Sequence, residues 1–295
     1  MEKIEFVIDS STELTDELKN RGDVSVAQDY VNFPDGRSIP DSGMVELGGT
    51  DWLVDEMADS LKNRKELPKT SQPTPGDFNT IFSEIMEKGC DDVLPLLLPI
   101  KKSGTWNSAN QAIKNFPDFT QKILELRTIS SATTLVLEEV VSAYDNGASF
   151  EEIRKVAMDA NNAVEGYFTV NDLIYLEKGG RIGKAKRLIG SLLNFKPLIK
   201  LGRDKDKDEY GDFIEVPEKV RTMKKTVARL GELITDAVGD GRKYVVSAGK
   251  SLLPYAMDLK NSLSNAEYLP PTSGALVANG GPFIIVTGLP ENYRK

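Results

Sequence analysis

The chain of 295 residues contains no histidine and only one cysteine, Cys90. Without histidine there can be no Ser-His-Asp or Cys-His catalytic group, no histidine-containing metal site and no histidine general base. Any catalysis would have to use carboxylates, lysine or tyrosine. A single cysteine cannot form a disulfide within the chain. Because Cys90 lies at a turn before a predicted buried strand, we interpret it as a structural residue and not as a reactive thiol.

The chain also has fewer positively than negatively charged residues. The chain has 37 lysine and arginine residues against 45 aspartate and glutamate residues, which gives a formal net charge of -8. Nucleic-acid binders present clustered cations to the phosphates, so this composition argues against a nucleic-acid partner. The densest run of charges, residues 203–209, alternates in sign and is typical of a solvated hairpin tip.

Long apolar runs are missing as well. The longest, residues 93–100, is interrupted by Pro95 and Pro99 and is far shorter than the roughly 20 residues of a membrane span. The first residues lack the apolar core of a signal peptide. We therefore expect a cytoplasmic protein with only transient membrane contact.

Repeated strands, hydroxyl-rich turns and helices characterise the first part of the chain, and the length suits two domains. This pattern predicts an N-terminal doubly wound α/β domain with a mostly parallel sheet over residues 1–165. After that point, an antiparallel pair at residues 196–201 and 213–216 predicts a C-terminal α/β domain with a mixed or antiparallel sheet over residues 166–295. The segment near residues 66–76 is expected to contribute to a site between the domains.

Four local predictions follow from the apolar patterns. Residues 24–33 and 123–129 are each predicted as a continuous strand. Residues 184–193 are predicted as a helix, and residues 274–278 as one of two final strands.

Small hydroxyl residues precede four of the predicted helices. The four turns are Asp9-Ser10-Ser11, Thr70-Ser71, Ser103-Gly104-Thr105 and Ser130-Ser131. A helix N-terminus presents unpaired N–H groups and a partial positive charge, and added hydroxyls make it suitable for an anion or a carbonyl group. In an open α/β sheet such turns meet at the carboxyl ends of the strands. Serine and threonine are also the commonest N-caps, so a purely structural role stays open.

Two glycine-rich segments in the second half are further candidates. Gly179-Gly180 suggests a backbone with positive φ or a close approach by a neighbour, and Arg181 could contact a carboxylate or phosphate. The alternative is a helix C-cap followed by an exposed arginine. Asn279-Gly280-Gly281-Pro282 could bend a strand or admit a ligand.

Taken in order, these motifs resemble the DegV family, the fatty-acid-binding subunits of bacterial fatty acid kinase. The motifs that carry the resemblance are Asp9-Ser10-Ser11, residues 70–75 with Phe78, Ser103-Gly104-Thr105 with Ser108-Ala109, residues 175–182 and Lys196-Pro197. The resemblance covers most of the chain.

This resemblance implies a non-catalytic carrier with a fatty acid in a buried tunnel between two domains and with no cofactor or metal. A partner kinase would phosphorylate the bound carboxylate, and Arg181 would contact the partner or the acyl phosphate. The predicted carboxylate ligands are Thr70, Ser71, Ser103, Gly104, Thr105 and Asn279. The residues predicted to contact the ligand less directly, or to support those ligands, are Asp9, Ser10, Ser11, Ser130, Ser131, Gly280 and Gly281.

The sequence departs from the family pattern at four places. Asn279 stands where members usually carry histidine, and Phe283 where a small residue is usual. Ile129-Ser130 replaces a more typical Asp-Ser, and Trp106 replaces a common tyrosine. Because the asparagine amide stays neutral and the chain has no histidine, we expect fatty-acid affinity to be nearly flat between about pH 6 and 8.

Two other classes of function stay open at this point. An enzyme acting on a small phosphorylated or acyl substrate would need a carboxylate such as Asp9 as its general base. A lipid-free sensor or scaffold would have a closed pocket, with Phe283 filling it.

Overall fold

The computed structural model describes residues 2–63, 65–120, 122–182, 195–204, 209–216, 218, 220–239, 243–271, 273–291 and 293. The strands in these ranges are β1 (Ile4–Asp9), β2 (Val24–Ala27), β3 (Tyr30–Asn32), β4 (Ser38–Pro40), β5 (Lys69–Ser71), β6 (Asp92–Leu97), β7 (Leu124–Glu125), β8 (Glu165–Val170), β9 (Ile199–Asp204), β10 (Glu209–Glu215), β11 (Lys243–Ala248), β12 (Ala266–Tyr268) and β13 (Phe283–Leu289). The α-helices are α1 (Asp16–Lys19), α2 (Gly49–Lys62), α3 (Pro75–Glu87), α4 (Thr105–Ala112), α5 (Ser131–Asp145), α6 (Phe150–Ala163), α7 (Ile174–Gly179), α8 (Met223–Val238), α9 (Leu253–Ser262) and α10 (Gly274–Gly280). In these ranges no helix is both long and apolar enough to cross a membrane.

The first sheet is entirely parallel, with strand order β2-β1-β6-β7. Side chains alternate across β1, so Phe6 and Ile8 pack with α5 and α6, whereas Val7 packs with α3 and α4 on the other face. A parallel strand buried on both faces needs apolar residues at successive positions, and β1 and β6 are buried throughout. The predicted doubly wound N-terminal sheet is confirmed.

The second sheet has six strands in the order β10-β9-β8-β13-β11-β12. Its neighbouring strands are antiparallel except for β11 and β12, so the predicted mixed sheet is also confirmed. One face packs against α8 and α9. The opposite face carries Phe168, Val170, Leu201, Phe283 and Ile285 and turns toward the first half of the chain.

A small three-stranded sheet, in the order β4-β3-β5, joins the two halves. It comes from the first half of the sequence, yet β3, β5 and α2 pack against α10 near the end of the chain. Val31 and Leu53 therefore share one apolar cluster with Val277 and Ile285. The division near residue 165 stays a prediction.

Three local predictions are wrong. The strand predicted for residues 24–33 is broken, because β2 pairs in the first sheet and β3 in the three-stranded sheet. The strand predicted for residues 123–129 is reduced to β7. Residues 274–278 form part of α10, whose first turn is capped by Ser273. The helix predicted for residues 184–193 lies outside the described residues.

Candidate functional site

A cavity lies between the carboxyl-end turns of the first sheet and the apolar face of the second. It encloses about 890 Å³ between the atoms, counted out to its open mouth. Strand β5 and helix α10, which contact each other, also supply lining residues. The cavity is thus built from sequence segments as far apart as Ser11 and Ile285.

The floor of the cavity is apolar and follows from the register of three strands. Phe283 pairs with Val170, and Ile285 pairs with Phe168, so these four side chains share one face of the sheet. Leu201 of the neighbouring strand β9 extends the same surface. The alternate residues of β13, such as Ile284, point to the opposite core. This floor suits a hydrocarbon chain.

Thr70 and Asn279 meet at the polar end of the floor. The Asn279 amide donates one hydrogen bond to Thr70 Oγ1 at 3.1 Å and another to the Ala275 carbonyl at 2.8 Å. Thr70 Oγ1 accepts from Asn279, so its own hydrogen is available to a ligand in the cavity. Asn279 itself has used both donor hydrogens, and its carbonyl oxygen lies beside Gly179.

Ser103 and Ser71 add two more hydroxyl groups to the cavity lining. Ser103 Oγ accepts from the Thr105 N–H at 3.2 Å and lies 2.8 Å from Thr105 Oγ1. Thr105 is fully buried, so it orients Ser103 from behind. Ser71 Oγ accepts from Asn32 at 3.1 Å. Ser71 thus retains a hydrogen that can point at an anion, and Ser103 does so when the Thr105 hydroxyl is the donor of their shared hydrogen bond.

Gly104 supports this end of the site without lining the cavity. A Cβ at this position would lie 2.7 Å from Gln72 Nε2, so the Gln72 amide sits directly over the Gly104 backbone. Gln72 lines the cavity and was missed as a site residue, although it belongs to the motif that includes Thr70.

Two cationic side chains, Lys102 and Arg181, lie at the mouth of the cavity. Lys102 Nζ donates to the Arg181 carbonyl at 3.2 Å, and Arg181 Nη1 donates to the Gly179 carbonyl at 2.9 Å. The same residues line an adjoining surface groove formed by residues 100–104 and 179–181. The mouth therefore carries positive charge on an otherwise acidic chain.

Helix α7 approaches this mouth through two glycines. Gly180 has φ of +68° and ends the helix in the left-handed region. A Cβ on Gly179 would lie 2.8 Å from Asn279 Oδ1 and 3.1 Å from Asn279 Cα. The positive φ is found at Gly180 and the close approach at Gly179, and the alternative of a helix C-cap followed by an exposed arginine is also what the structure shows.

Three carboxyl groups, Asp9, Glu13 and Asp41, are buried behind the lining of the cavity, and a fourth, Asp29, is buried in the lining itself. Burial raises the pKa of Glu13 to about 8 and that of Asp41 to about 6. Burial also raises the pKa of Asp9 and, assisted by the charges of Asp9 and Asp41, that of Asp29. The expectation of a flat pH response considered only groups of ordinary pKa, and burial gives Glu13 a raised pKa because desolvation disfavours the ionised carboxylate. The flat response of fatty-acid affinity stays a prediction.

The hydroxyl turns of the first sheet mostly hold these carboxyl groups. Ser10 Oγ donates to Asp41 at 2.8 Å. Ser11 donates to Asp9 and also lines the cavity. Ser130 lines the cavity and donates to Glu13. Ser130 has φ of 63° and ψ of -139°, a conformation that is strained for a residue with a Cβ.

The predicted site residues thus fall into two groups. Those that line the cavity are Thr70, Ser71, Ser103, Asn279, Gly280, Ser11, Ser130 and Arg181. Those that stand behind the lining are Gly104, Thr105, Asp9, Ser10, Ser131 and Gly281. Ser131, for example, is fully buried and bonds Thr287 at 3.0 Å. Asp29 and Lys102 line the cavity but were missed, and only a charge interrupting the apolar run of residues 24–33 hinted at Asp29.

Comparison with protein families and curated proteins gives a consistent result. A family model described as an uncharacterised protein of the DegV family matches residues 3–284. A DegV domain-containing protein of Streptococcus pyogenes serotype M3 is 28% identical over 271 residues, covering 90% of this chain and 89% of the relative. A DegV domain-containing protein of Clostridium acetobutylicum is 27% identical over 295 residues, covering 97% and 98%.

Solved structures show the same architecture. A DegV family protein from Thermus thermophilus, described as binding fatty acid, has a TM-score of 0.81 at 23% identity, with 97% of this chain and 99% of that chain covered. A Thermotoga maritima protein, described as revealing a fatty acid binding function, has a TM-score of 0.79 at 25% identity, with 98% and 99% covered.

Proposed function

This chain belongs to the DegV family, and on that premise we propose that it is a non-catalytic carrier of one long-chain fatty acid. The acyl tail lies on the apolar floor of the cavity. Thr70, Ser71 and Ser103 donate hydrogen bonds to the carboxylate. Asn279 and Thr105 hold two of these hydroxyls in place, and Gly104 leaves room for Gln72 beside them.

The observation that carries the proposal is the polarity of the cavity along its length. An apolar surface from β8, β9 and β13 ends at the hydroxyl groups of Thr70, Ser71 and Ser103, with Lys102 and Arg181 beyond them. A fatty acid likewise has an apolar tail that ends in a charged head group. The Thermotoga maritima relative, 25% identical over nearly the whole chain, is described as binding fatty acid.

Tail and head group would contribute differently to binding. A sixteen-carbon tail buries roughly 14 methylenes at about 0.8 kcal/mol each, on the order of 11 kcal/mol before the costs of association. Each hydrogen bond to the charged head group adds about 1.5–3 kcal/mol before desolvation is subtracted. The tail therefore supplies most of the affinity, and the hydroxyls fix the orientation.

The proposal includes a partner kinase that phosphorylates the bound carboxylate. The carboxylate end of the cavity is also its open, cationic end, so a transferred phosphoryl group would meet Lys102 and Arg181. The adjoining groove of residues 100–104 and 179–181 is the surface that we assign to this partner. A kinase that uses ATP implies a cytoplasmic setting, with membrane contact only while lipid is exchanged.

The two alternatives are less well supported. Asp9, the carboxylate that an enzyme would need, is buried and bonds Ser11 and the Leu98 N–H at 3.1 Å, away from the cavity lining. A closed scaffold would require Phe283 to fill the pocket, whereas Phe283 forms part of its wall.

Mass spectrometry tests the proposal directly. Native spectra of the purified protein, and of the organic extract made from it, should show one non-covalent fatty acid per chain. If the protein stays unloaded after incubation with C14 to C18 acids, the carrier proposal is wrong. A small anion in place of a lipid would favour the enzyme.

A further inference from the structure

The inner wall of the cavity carries polar groups beside the space that an acyl chain would occupy. Ser11, Asp29 and Ser130 line this wall, opposite the apolar floor. Burying polar groups against methylenes is unfavourable unless they form hydrogen bonds. Ser11 and Ser130 are bonded to Asp9 and Glu13, so Asp29, with one long hydrogen bond from Ser10, is the group that an acyl chain would bury with too few partners.

The two serines present acceptor atoms to the cavity. The Ser11 hydroxyl donates its hydrogen to Asp9 Oδ1, which also accepts the Ser11 N–H at 3.1 Å. The Ser130 hydroxyl donates to Glu13 Oε2. A hydroxyl has one hydrogen, so both serines offer the cavity only oxygen lone pairs.

Asp29 is buried and poorly satisfied. It is 5% exposed, and within the described ranges its carboxyl group has one hydrogen bond, from Ser10 Oγ at 3.4 Å. The same hydroxyl lies 2.8 Å from Asp41 and has a single hydrogen to give. Asp29 therefore lines the cavity with an acceptor that the protein itself does not satisfy.

The sheet register places Asp29 near the head-group site. Val31 pairs with Thr70 across β3 and β5. Asp29 lies directly before β3, two residues ahead of Val31, and therefore next to the strand pair that carries Thr70. The cavity lining thus includes a donor at Thr70 and acceptors at Ser11, Asp29 and Ser130.

We propose that the inner wall formed by Ser11, Asp29 and Ser130 binds a hydroxyl group of the lipid, so that the preferred ligand is a long-chain fatty acid hydroxylated a few carbons from its carboxyl group. This rests on the proposed function and narrows its ligand. The lipid hydroxyl donates its hydrogen to Asp29 and lies within reach of the serine oxygens. A neutral hydroxyl fits this wall better than a second carboxylate, because burial and the charges of Asp9 and Asp41 already disfavour negative charge at Asp29.

Ligands that differ only in a hydroxyl group test this inference separately from the proposed function. We would measure dissociation constants for hexadecanoic acid and for its 2-, 3- and 4-hydroxy derivatives, below their micelle concentrations. At least one hydroxy acid should bind about tenfold more tightly than hexadecanoic acid, which corresponds to about 1.4 kcal/mol. Binding of the four acids with equal affinity, or tighter binding of hexadecanoic acid, would overturn the inference and leave the carrier intact. Equal affinity is also what a water molecule retained at Asp29 would produce.

Substitutions at Asp29 complete the test. Asp29→Leu should remove the preference for the hydroxy acid and improve binding of hexadecanoic acid, because an apolar side chain then faces the tail. Asp29→Asn keeps an acceptor oxygen and should retain part of the preference. The control is Asp55→Leu on the exposed side of α2, which should leave all affinities unchanged. A preference that survives Asp29→Leu undiminished would show that the hydroxyl binds elsewhere. Melting temperatures of the unloaded variants confirm that each is folded.

Discussion

Asn279 acts on the candidate ligand through Thr70. Its amide donates one hydrogen bond to Thr70 Oγ1 and the other to the Ala275 carbonyl. The threonine hydroxyl, as an acceptor from Asn279, is left to donate toward the cavity. A neutral amide can do this at any pH. Asn279 is therefore best understood as a positioning residue, and Thr70 as the group that touches the head group.

Replacing Thr70 with valine tests this division of roles. Thr70→Val preserves shape and removes the donor, so fatty-acid affinity should fall about 10- to 100-fold, the loss expected for one hydrogen bond to a charged group. Isothermal titration would measure it. Thr80→Val on the exposed side of α3 is the matched control and should bind normally. If Thr70→Val lowers the melting temperature of the unloaded protein and spares affinity, Thr70 is only structural.

Arg181 belongs to the mouth and not to the floor, so its substitution should separate two activities. Arg181→Ala should retain fatty-acid binding and lose most acyl-phosphate formation with the cognate kinase, because the cation meets the transferred phosphoryl group. Paired binding and kinase assays would measure this, with Arg154→Ala on α6 as the control. An equal loss of both activities would place Arg181 in the lipid site.

At the scale of elements, α10 shows how a distant side chain decides secondary structure. Asp41 accepts the Ala275 N–H at 3.1 Å and the Ser273 hydroxyl at 2.9 Å, so a residue more than 200 positions earlier caps this helix. Helix α10 in turn carries Asn279 and the cavity residue Leu276. The position of the head-group site thus depends on Asp41.

We expect Asp41→Ala to loosen α10 more than it affects either large sheet. Loss of a charged cap and of the Ser273 bond should cost about 1–3 kcal/mol. Hydrogen exchange at residues 275–280 should accelerate, whereas exchange in β1 and β6 should not change. Asp41→Asn, which keeps an acceptor oxygen, is the control. Unchanged exchange in α10 would mean that packing alone holds the helix.

The sequence predicts the features whose causes are local and misses those that depend on residues far away in the chain. The strands β1 and β6 are predictable, because burial on both faces demands local apolar runs. The hydroxyl turns and the Gly179-Gly180 bend are also local. The α10 segment resembles a strand in its apolar pattern, and although Ser273 caps it locally, the bonds to Asp41 that complete this cap reach a distant part of the chain. Asp29 could not be recognised as a cavity residue, since only the change from the first sheet to the three-stranded sheet directs it there.

At the scale of the whole molecule, four buried carboxyl groups make stability depend on pH. Each has a pKa raised by burial, so the folded state binds more protons than the unfolded state between the two pKa values. Stability therefore falls as pH rises through that window. For Glu13 the window runs from 4.5 to about 8, and for Asp41 from 3.8 to about 6.

The unloaded protein should consequently be less stable at pH 8 than at pH 6. We expect the melting temperature to drop by at least about 2–4 °C, the shift that 1 kcal/mol produces in a domain of 150–250 residues. Glu13→Gln keeps an acceptor for Ser130 and removes the titration, so its stability should change less over the same range. Equal or greater stability at pH 8 would show that Glu13 is ionised in the folded protein.

The packing of α2 and the three-stranded sheet against α10 has a consequence for synthesis on the ribosome. Leu53 and Val31 leave the exit tunnel early, yet Val277 and Ile285, with which they share a cluster, follow more than 200 residues later. At about 5–20 residues per second the early segment waits roughly 10 to 50 seconds for its partners. During that interval its apolar side chains are open to chaperones. The cavity can close only after nearly the whole chain has been translated.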